Sequence, residues 1–191
     1  MKTIVAFGDS NTWGFVPGSD AERFPRDIRW PARLATALGD TAEVVSEGLS
    51  GRMATIEHPA GAGRNGLPYL LPCLQSHAPV DLVVIYLGTN DASFLPPETV
   101  AGSVGRLVKV ARNSEAGPGR RSPNVLVLCP PPFGEHHLGP SFKQVCAALG
   151  CELIELEHVT SYSAVDGIHL DEAGHVAVAA AVEERVRLML A

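Results

Sequence analysis

A doubly wound α/β/α sandwich around a five-stranded parallel sheet is the fold class this sequence predicts, and three observations carry it. Five short apolar, β-branched runs alternate with helical patterns along the chain. The run over 81–87 is apolar at successive positions, as a strand covered by helices on both faces must be. Small polar turns end several runs abruptly, which in a parallel sheet places polar side chains at the carboxyl edge, where ligands bind. With 191 residues, no internal repeat and no shift in composition, residues 1–191 read as one domain large enough to bury a sizeable core.

Residues 2–7, Lys2-Thr3-Ile4-Val5-Ala6-Phe7, make the opening strand, and Gly8-Asp9-Ser10-Asn11-Thr12-Trp13-Gly14 is the turn that ends it. Residues 15–29 are polar, with Pro17, Gly18 and Pro25, and read as a loop over the strand ends. Trp30, Leu34 and Leu38 share one helical face over 30–38; Pro31 suits a first turn and Gly39 stops the helix. A short second strand, 42–45, feeds a long Gly-rich loop over 47–66, and 67–77 reads as a helix in spite of Pro68 and Pro72. The third strand, 81–87, ends in Gly88-Thr89-Asn90-Asp91. A helix over 98–112 turns Val100, Val104, Leu107, Val108 and Ala111 inward, and 113–123 reads as a disposable linker. The fourth strand, 125–129, is closed by Pro130-Pro131-Pro132. A helix over 142–149 leads to the fifth strand, 152–156. The last helix, 171–190, is rich in alanine and capped by Asp171, with Glu172 in its first turn.

Composition excludes several function classes. Hydrophobic residues at 46% and charged residues at 19% argue against disorder. A net charge of −6 leaves no basic surface for a phosphate backbone, so nucleic acid is not an expected partner. No run approaches the roughly 18 apolar residues of a membrane span. The chain enters a strand at once, without a charged segment and apolar stretch of signal-peptide type, so a soluble cytoplasmic protein with no membrane partner is expected. Cys73, Cys129, Cys146 and Cys151 include no C-x-x-C pair, and Cys129 and Cys151 lie in apolar runs where free buried thiols are common. Glu135-His136-His137 with His158 or His175 offers zinc donors, but the spacing matches no H-E-x-x-H motif, and 134–140 reads better as a mobile lid. Gly61-Ala62-Gly63-Arg64-Asn65-Gly66 lacks the Lys-Ser/Thr ending of a phosphate loop. Neither a metal nor another cofactor is expected.

The chemistry-bearing residues fall at strand ends. Acyl transfer needs a nucleophile, a base, a group that orients the base, and donors where the oxyanion develops. Ser10 can supply the first. Asp166 and His169 share one short loop, Asp166-Gly167-Ile168-His169, so the carboxylate can hold the imidazole Nδ1–H and leave Nε2 as the free base. The side chain of Asn90 and the backbone N–H groups of Ser10 and Gly51 can form an oxyanion hole. Taken singly, each block has a plain structural reading as a turn, a helix cap or a glycine at positive φ. Coincidence at four strand ends is harder to sustain. Asp9 reads as a loop organiser that accepts backbone N–H bonds. Activity that depends on a histidine base should fall below about pH 6.5.

In these blocks the chain resembles the SGNH/GDSL hydrolases: Gly8-Asp9-Ser10-Asn11, Gly48-Leu49-Ser50-Gly51, Gly88-Thr89-Asn90-Asp91 and Asp166-Gly167-Ile168-His169 occur in order and span nearly the whole sequence. The resemblance implies a flavodoxin-like sheet and metal-free ester hydrolysis. It also implies Ser10, Gly51, Asn90 and His169 as the family's four named residues, with Asp166 as the triad acid. The stretches from Gly8 to Gly14, Glu47 to Arg52, Leu71 to Leu74 and Leu87 to Asp91 are further similar to the arylesterase/acyltransferase branch. That branch implies short-chain or aryl esters as substrates and water or an alcohol as the acyl acceptor. Asn11 stands where the motif's name has Leu, next to the nucleophile, and is a candidate for shaping the acyl pocket. Trp13, Phe15, Phe94, Leu95 and Ile168 flank the blocks as candidate pocket lining. The same site suits acetylated sugars, and the family also includes thioesterases and lysophospholipases. A non-catalytic small-molecule-binding module is the rival from another class, and the intact Ser10/Asp166/His169 set argues against it. The short polar segment 113–123 leaves a homo-oligomer open.

Overall fold

A computed structural model describes residues 1–190. Its parallel sheet is built from β1 (Lys2–Gly8), β2 (Ala42–Gly48), β3 (Leu82–Tyr86), β4 (Asn124–Cys129) and β5 (Glu152–Glu155) in the order β2-β1-β3-β4-β5. The chain lays β2 on one side of β1 and every later strand on the other, so the direction of winding changes between β1 and β3. Open parallel sheets bind ligands beside such a switch, and the Ser10 and Asn90 turns flank it.

Alternation along the strands divides the core into two layers. Ile4, Ala6, Leu82, Val84, Leu126 and Leu128 point to one face, where α2 (Trp30–Leu38) packs on α7 (Glu172–Met189) through Trp30, Leu34, Val178, Val182 and Val186. Val5, Phe7, Val83, Ile85, Val125 and Val127 point to the other, beneath α3 (Gly66–Ser76), α5 (Pro97–Arg112) and α6 (Gly139–Leu149). Two one-turn helices, α1 (Ser10–Trp13) and α4 (Thr89–Ala92), begin directly after β1 and β3.

The expected order of elements is the observed one, with local differences. β2 runs on to Gly48, beyond the short strand expected, because Phe7 and Gly8 continue the pairing with Glu47 and Gly48. The fifth strand stops at Glu155, and Leu156–His158 turn into a 3-10 helix. α6 opens at Gly139 rather than at 142, with Pro140 in its first turn, where the fixed φ of proline suits a helix start and its missing N–H costs no bond. Residues 113–123 are not disposable: Ala116 is buried in the core and its carbonyl accepts from Val80 N–H at 2.7 Å. No helix among the described residues is long and apolar enough to cross a membrane.

Candidate active site

The turn after β1 places Ser10 at the first position of α1, with Asp9 as its N-cap: the Asp9 carboxylate accepts from Asn11 N–H at 2.9 Å. Ser10 is nearly enclosed, 6% exposed, and its Oγ lies 3.0 Å from His169 Nε2. His169 Nδ1 lies 2.8 Å from Asp166 Oδ2. Burial opposes ionisation of Asp166, but bonds from the His169 ring and from the N–H groups of Ile168, His169 and Gly18 outweigh it and hold the carboxyl below its ordinary range. Phe15 stacks on the imidazole, with ring centroids 4.3 Å apart and planes 18° from parallel. The imidazole is thus fixed by a carboxylate at one nitrogen and an aromatic ring on its face.

Gly51 sits at φ +74, a conformation L side chains rarely adopt, and a Cβ there would meet the Arg64 side chain at 2.9 Å. The Ser10 and Gly51 N–H groups have no acceptor among the described residues. Asn90 Nδ2 donates to the Arg52 carbonyl at 3.1 Å and lies 3.5 Å from Asp9 Oδ2. The second contact is long enough for that proton to turn to a better acceptor.

Below this edge two carboxyl groups, Asp9 and Asp91, are fully buried. Burial, with a contribution from Asp91, raises Asp9 to about 7; burial raises Asp91 to about 6 although its carboxylate takes the Ala54 N–H. Arg52, buried between the rings of Phe7 and Tyr69 at 4.3 and 5.3 Å, donates to the carbonyls of Gly8 and Glu47 and so ties the Ser10 turn to the end of β2.

The expected pocket residues fall differently. Asn11 does not face a pocket: it is 1% exposed, its Oδ1 accepts from Leu170 N–H at 2.9 Å, and its Nδ2 donates to Ile168 O at 3.2 Å. Trp13 lies under the Arg23 guanidinium at 4.8 Å, and Phe94, half exposed, meets the His58 ring edge-on. A groove of about 540 Å³ opens beside Gly48 and Leu49, lined also by Glu47, Arg52, Asn65 and Tyr69; Asn11, Trp13, Phe94 and Ile168 are not in its lining. His175 is a core residue whose Nδ1 accepts from Trp30 N–H at 3.4 Å, and burial pulls it down to about 4. Among the described residues, clusters with metal-ligating donors are Glu47/Cys73/His77 and Glu155/Glu157/His158; neither includes His136 or His137.

Sequence reasoning gave no role to Gly18 or Arg52. Gly18 acts through its main chain, which no side-chain pattern reveals. Arg52 left one signal, a lone arginine directly after the glycine of a strand-end loop.

A doubly wound sheet that carries a serine, histidine and aspartate in hydrogen-bonded series at its carboxyl edge defines the class of serine hydrolases. The model of the GDSL-like lipase/acylhydrolase family matches residues 6–177, and the chain belongs to that family. An aryl esterase from M. smegmatis superposes with a TM-score of 0.92 at 36% identity, over 99% of this chain and 100% of that one. A carbohydrate acetylesterase from Sinorhizobium meliloti superposes with a TM-score of 0.92 at 31% identity over the same shares. A lipase/acylhydrolase from Enterococcus faecalis, at 22% identity and a TM-score of 0.71 over 98% of this chain and 96% of that one, shares the fold. A search of curated proteins finds no match. The protein is a serine esterase, a carboxylic ester hydrolase of the arylesterase branch.

Proposed function

We propose that this esterase cleaves short-chain or aryl esters with Ser10 as nucleophile, His169 as general base and acid, and Asp166 as the group that orients and stabilises the imidazolium. Ser10 Oγ attacks the ester carbonyl carbon as its proton passes to His169 Nε2. The oxyanion is received by the N–H groups of Ser10 and Gly51 and by Asn90 Nδ2. His169 then protonates the departing alcohol or phenol, and water attacks the acyl-enzyme by the same route in reverse. The observation that carries this reading is the pair of bonds Ser10 Oγ–His169 Nε2 at 3.0 Å and His169 Nδ1–Asp166 Oδ2 at 2.8 Å.

A fluorophosphonate probe is expected to label Ser10 in the folded protein, and Ser10→Ala to abolish both labelling and p-nitrophenyl acetate hydrolysis. Unlabelled Ser10, or turnover that survives the substitution, refutes the assignment. An alcohol can replace water at the acyl-enzyme, and added methanol should then divert product from acid to methyl ester. Acid alone at high methanol removes acyl transfer from the reading. The groove lined by Glu47, Asn65 and Tyr69 favours a second reading, a sugar acetate as substrate; a panel of acetyl, butyryl, octanoyl and acetyl-sugar esters separates the two. Cytoplasmic location and homo-oligomerisation rest on the sequence alone.

A further inference from the structure

The amino edge of the sheet, opposite the Ser10 site, holds a second pair of reactive side chains. Cys146 lies in the last turn of α6, and Cys151 precedes β5, with Gly150 at φ +64 reversing the chain between them. Cys151 N–H donates to the Cys146 carbonyl at 3.1 Å, and Cys151 Sγ lies 3.9 Å from that oxygen. The helix end therefore folds Cys151 back onto Cys146, both in reduced form.

Their surroundings differ in a useful way. Cys146 is buried, whereas Cys151 is half-buried and lines an open cavity of about 450 Å³ together with Arg112, Ser122, Asn124 and Glu152. Arg112 is anchored there by bonds to the carbonyls of Leu149 and Gly150. The adjacent Cys146 side chain lowers the pKa of Cys151; burial opposes this, Arg112 adds to it, and Glu152 works weakly against it. The same proximity, with burial, raises Cys146. Cys73 and Cys129 have no such partner thiol, and burial raises both. An accessible thiol that ionises readily beside a buried second thiol is the arrangement of an attacking and a resolving cysteine.

We propose that Cys151 and Cys146 form a thiol–disulfide exchange site that takes a low-molecular-weight disulfide, RSSR, through the cavity at Arg112. Cys151 loses its proton to solvent and its sulfur attacks RSSR. The S–S bond breaks, and RS⁻ leaves with the electron pair and takes up a proton. Cys146 then loses its proton and attacks the Cys151 sulfur in the mixed disulfide, which expels a second RS⁻. Two protein thiols are oxidised to one intramolecular disulfide as one RSSR is reduced to two RSH.

The test is incubation of the whole folded protein with oxidised glutathione, followed by acid quench, digestion and mass mapping. The expected product links the peptides holding 146 and 151 with loss of two hydrogens, leaving two of the four cysteines free. Cys151 should react at least ~10-fold faster than Cys73 or Cys129, which lack its activating neighbours. Esterase activity read in parallel reports that the fold is intact. In Cys146→Ser the reaction should halt at a glutathione adduct on Cys151, and in Cys151→Ser Cys146 should stay unmodified. A wild-type Cys151 that does not react, that keeps its glutathione adduct unresolved, or that reacts no faster than Cys73 overturns the proposal.

Discussion

The amide of Asn11 spans the gap between the nucleophile turn and the loop that carries His169, accepting from Leu170 N–H and donating to Ile168 O. Asn11→Leu, which puts in the residue of the motif's name, keeps the number and branching of side-chain heavy atoms and leaves a buried donor and acceptor unpaired. Each such group costs about 1–3 kcal/mol. Thermal unfolding should show a lower midpoint, and kcat should fall with KM little changed because the base loses its register rather than the substrate its pocket. An altered acyl-chain preference at unchanged stability would return Asn11 to the pocket role. Asp166→Asn should lower kcat by roughly 10²–10⁴ through loss of the orienting anion, read with p-nitrophenyl acetate. Asp9 has a different signature. Its carboxyl is held protonated to about pH 7 in the fold, against about 4 in the unfolded chain. The folded state therefore binds the extra proton across that window, and this group's contribution to stability declines as pH rises through it. The stability difference between Asp9→Asn and wild type should move in the variant's favour from about pH 4 to about pH 7, with Asp91 sharing the effect. Denaturant midpoints that differ by the same amount at both ends would contradict it.

At the scale of elements, the site depends on β2 and the α1 turn coming together at backbone distance. A Cβ on Gly48 would lie 2.2 Å from Trp13 N, and that neighbour is main chain with no rotamer to yield. Gly48→Ala should cost about 1–3 kcal/mol or more and separate Gly51 from Ser10, so kcat falls beyond what lost stability explains; circular dichroism with active-site titration distinguishes the two. The strands and the four blocks were legible in the sequence because β-branched runs followed by small polar turns record both burial and the edge where it ends. Asp9 also behaves as its position suggested. The reach of β2 to Gly48 was not legible, since it is fixed by pairing with Phe7 and Gly8, residues some forty positions away. Nor was the anchoring of 113–123, whose polar composition hides the buried Ala116 and its carbonyl. The pocket readings for Asn11 and Trp13 ran into the same limit, because proximity in sequence to Ser10 does not say which way a side chain turns.

Over the whole molecule, the sheet separates two apolar layers that share strands but few side-chain neighbours. Leu34 belongs to the layer under α2 and α7, and Leu107 to the layer under α3, α5 and α6. Leu34→Ala and Leu107→Ala should each cost about 2–5 kcal/mol, and the double variant should lose their sum to within ~0.5 kcal/mol. Urea unfolding of the three variants tests this, and a marked departure from additivity would show the layers to be coupled through the sheet. Activity per folded molecule should change little, since neither residue touches the carboxyl edge.

The loop that covers that edge has a consequence of another kind. Between Gly14 and Phe24 the chain is closed on itself by Phe24 N–H to Gly14 O at 2.8 Å and Val16 N–H to Glu22 O at 3.0 Å, and this closure aims Gly18 N–H at Asp166 Oδ2, 3.0 Å away. Asp166 is thus gripped by a peptide group that no exchange of side chains short of proline at 18 can delete. Drift in composition at Asp20 and Glu22 should leave the grip in place, whereas removal of one residue anywhere between the two closing bonds would rotate the amide off the carboxylate. What this loop conserves for the enzyme is its count of residues.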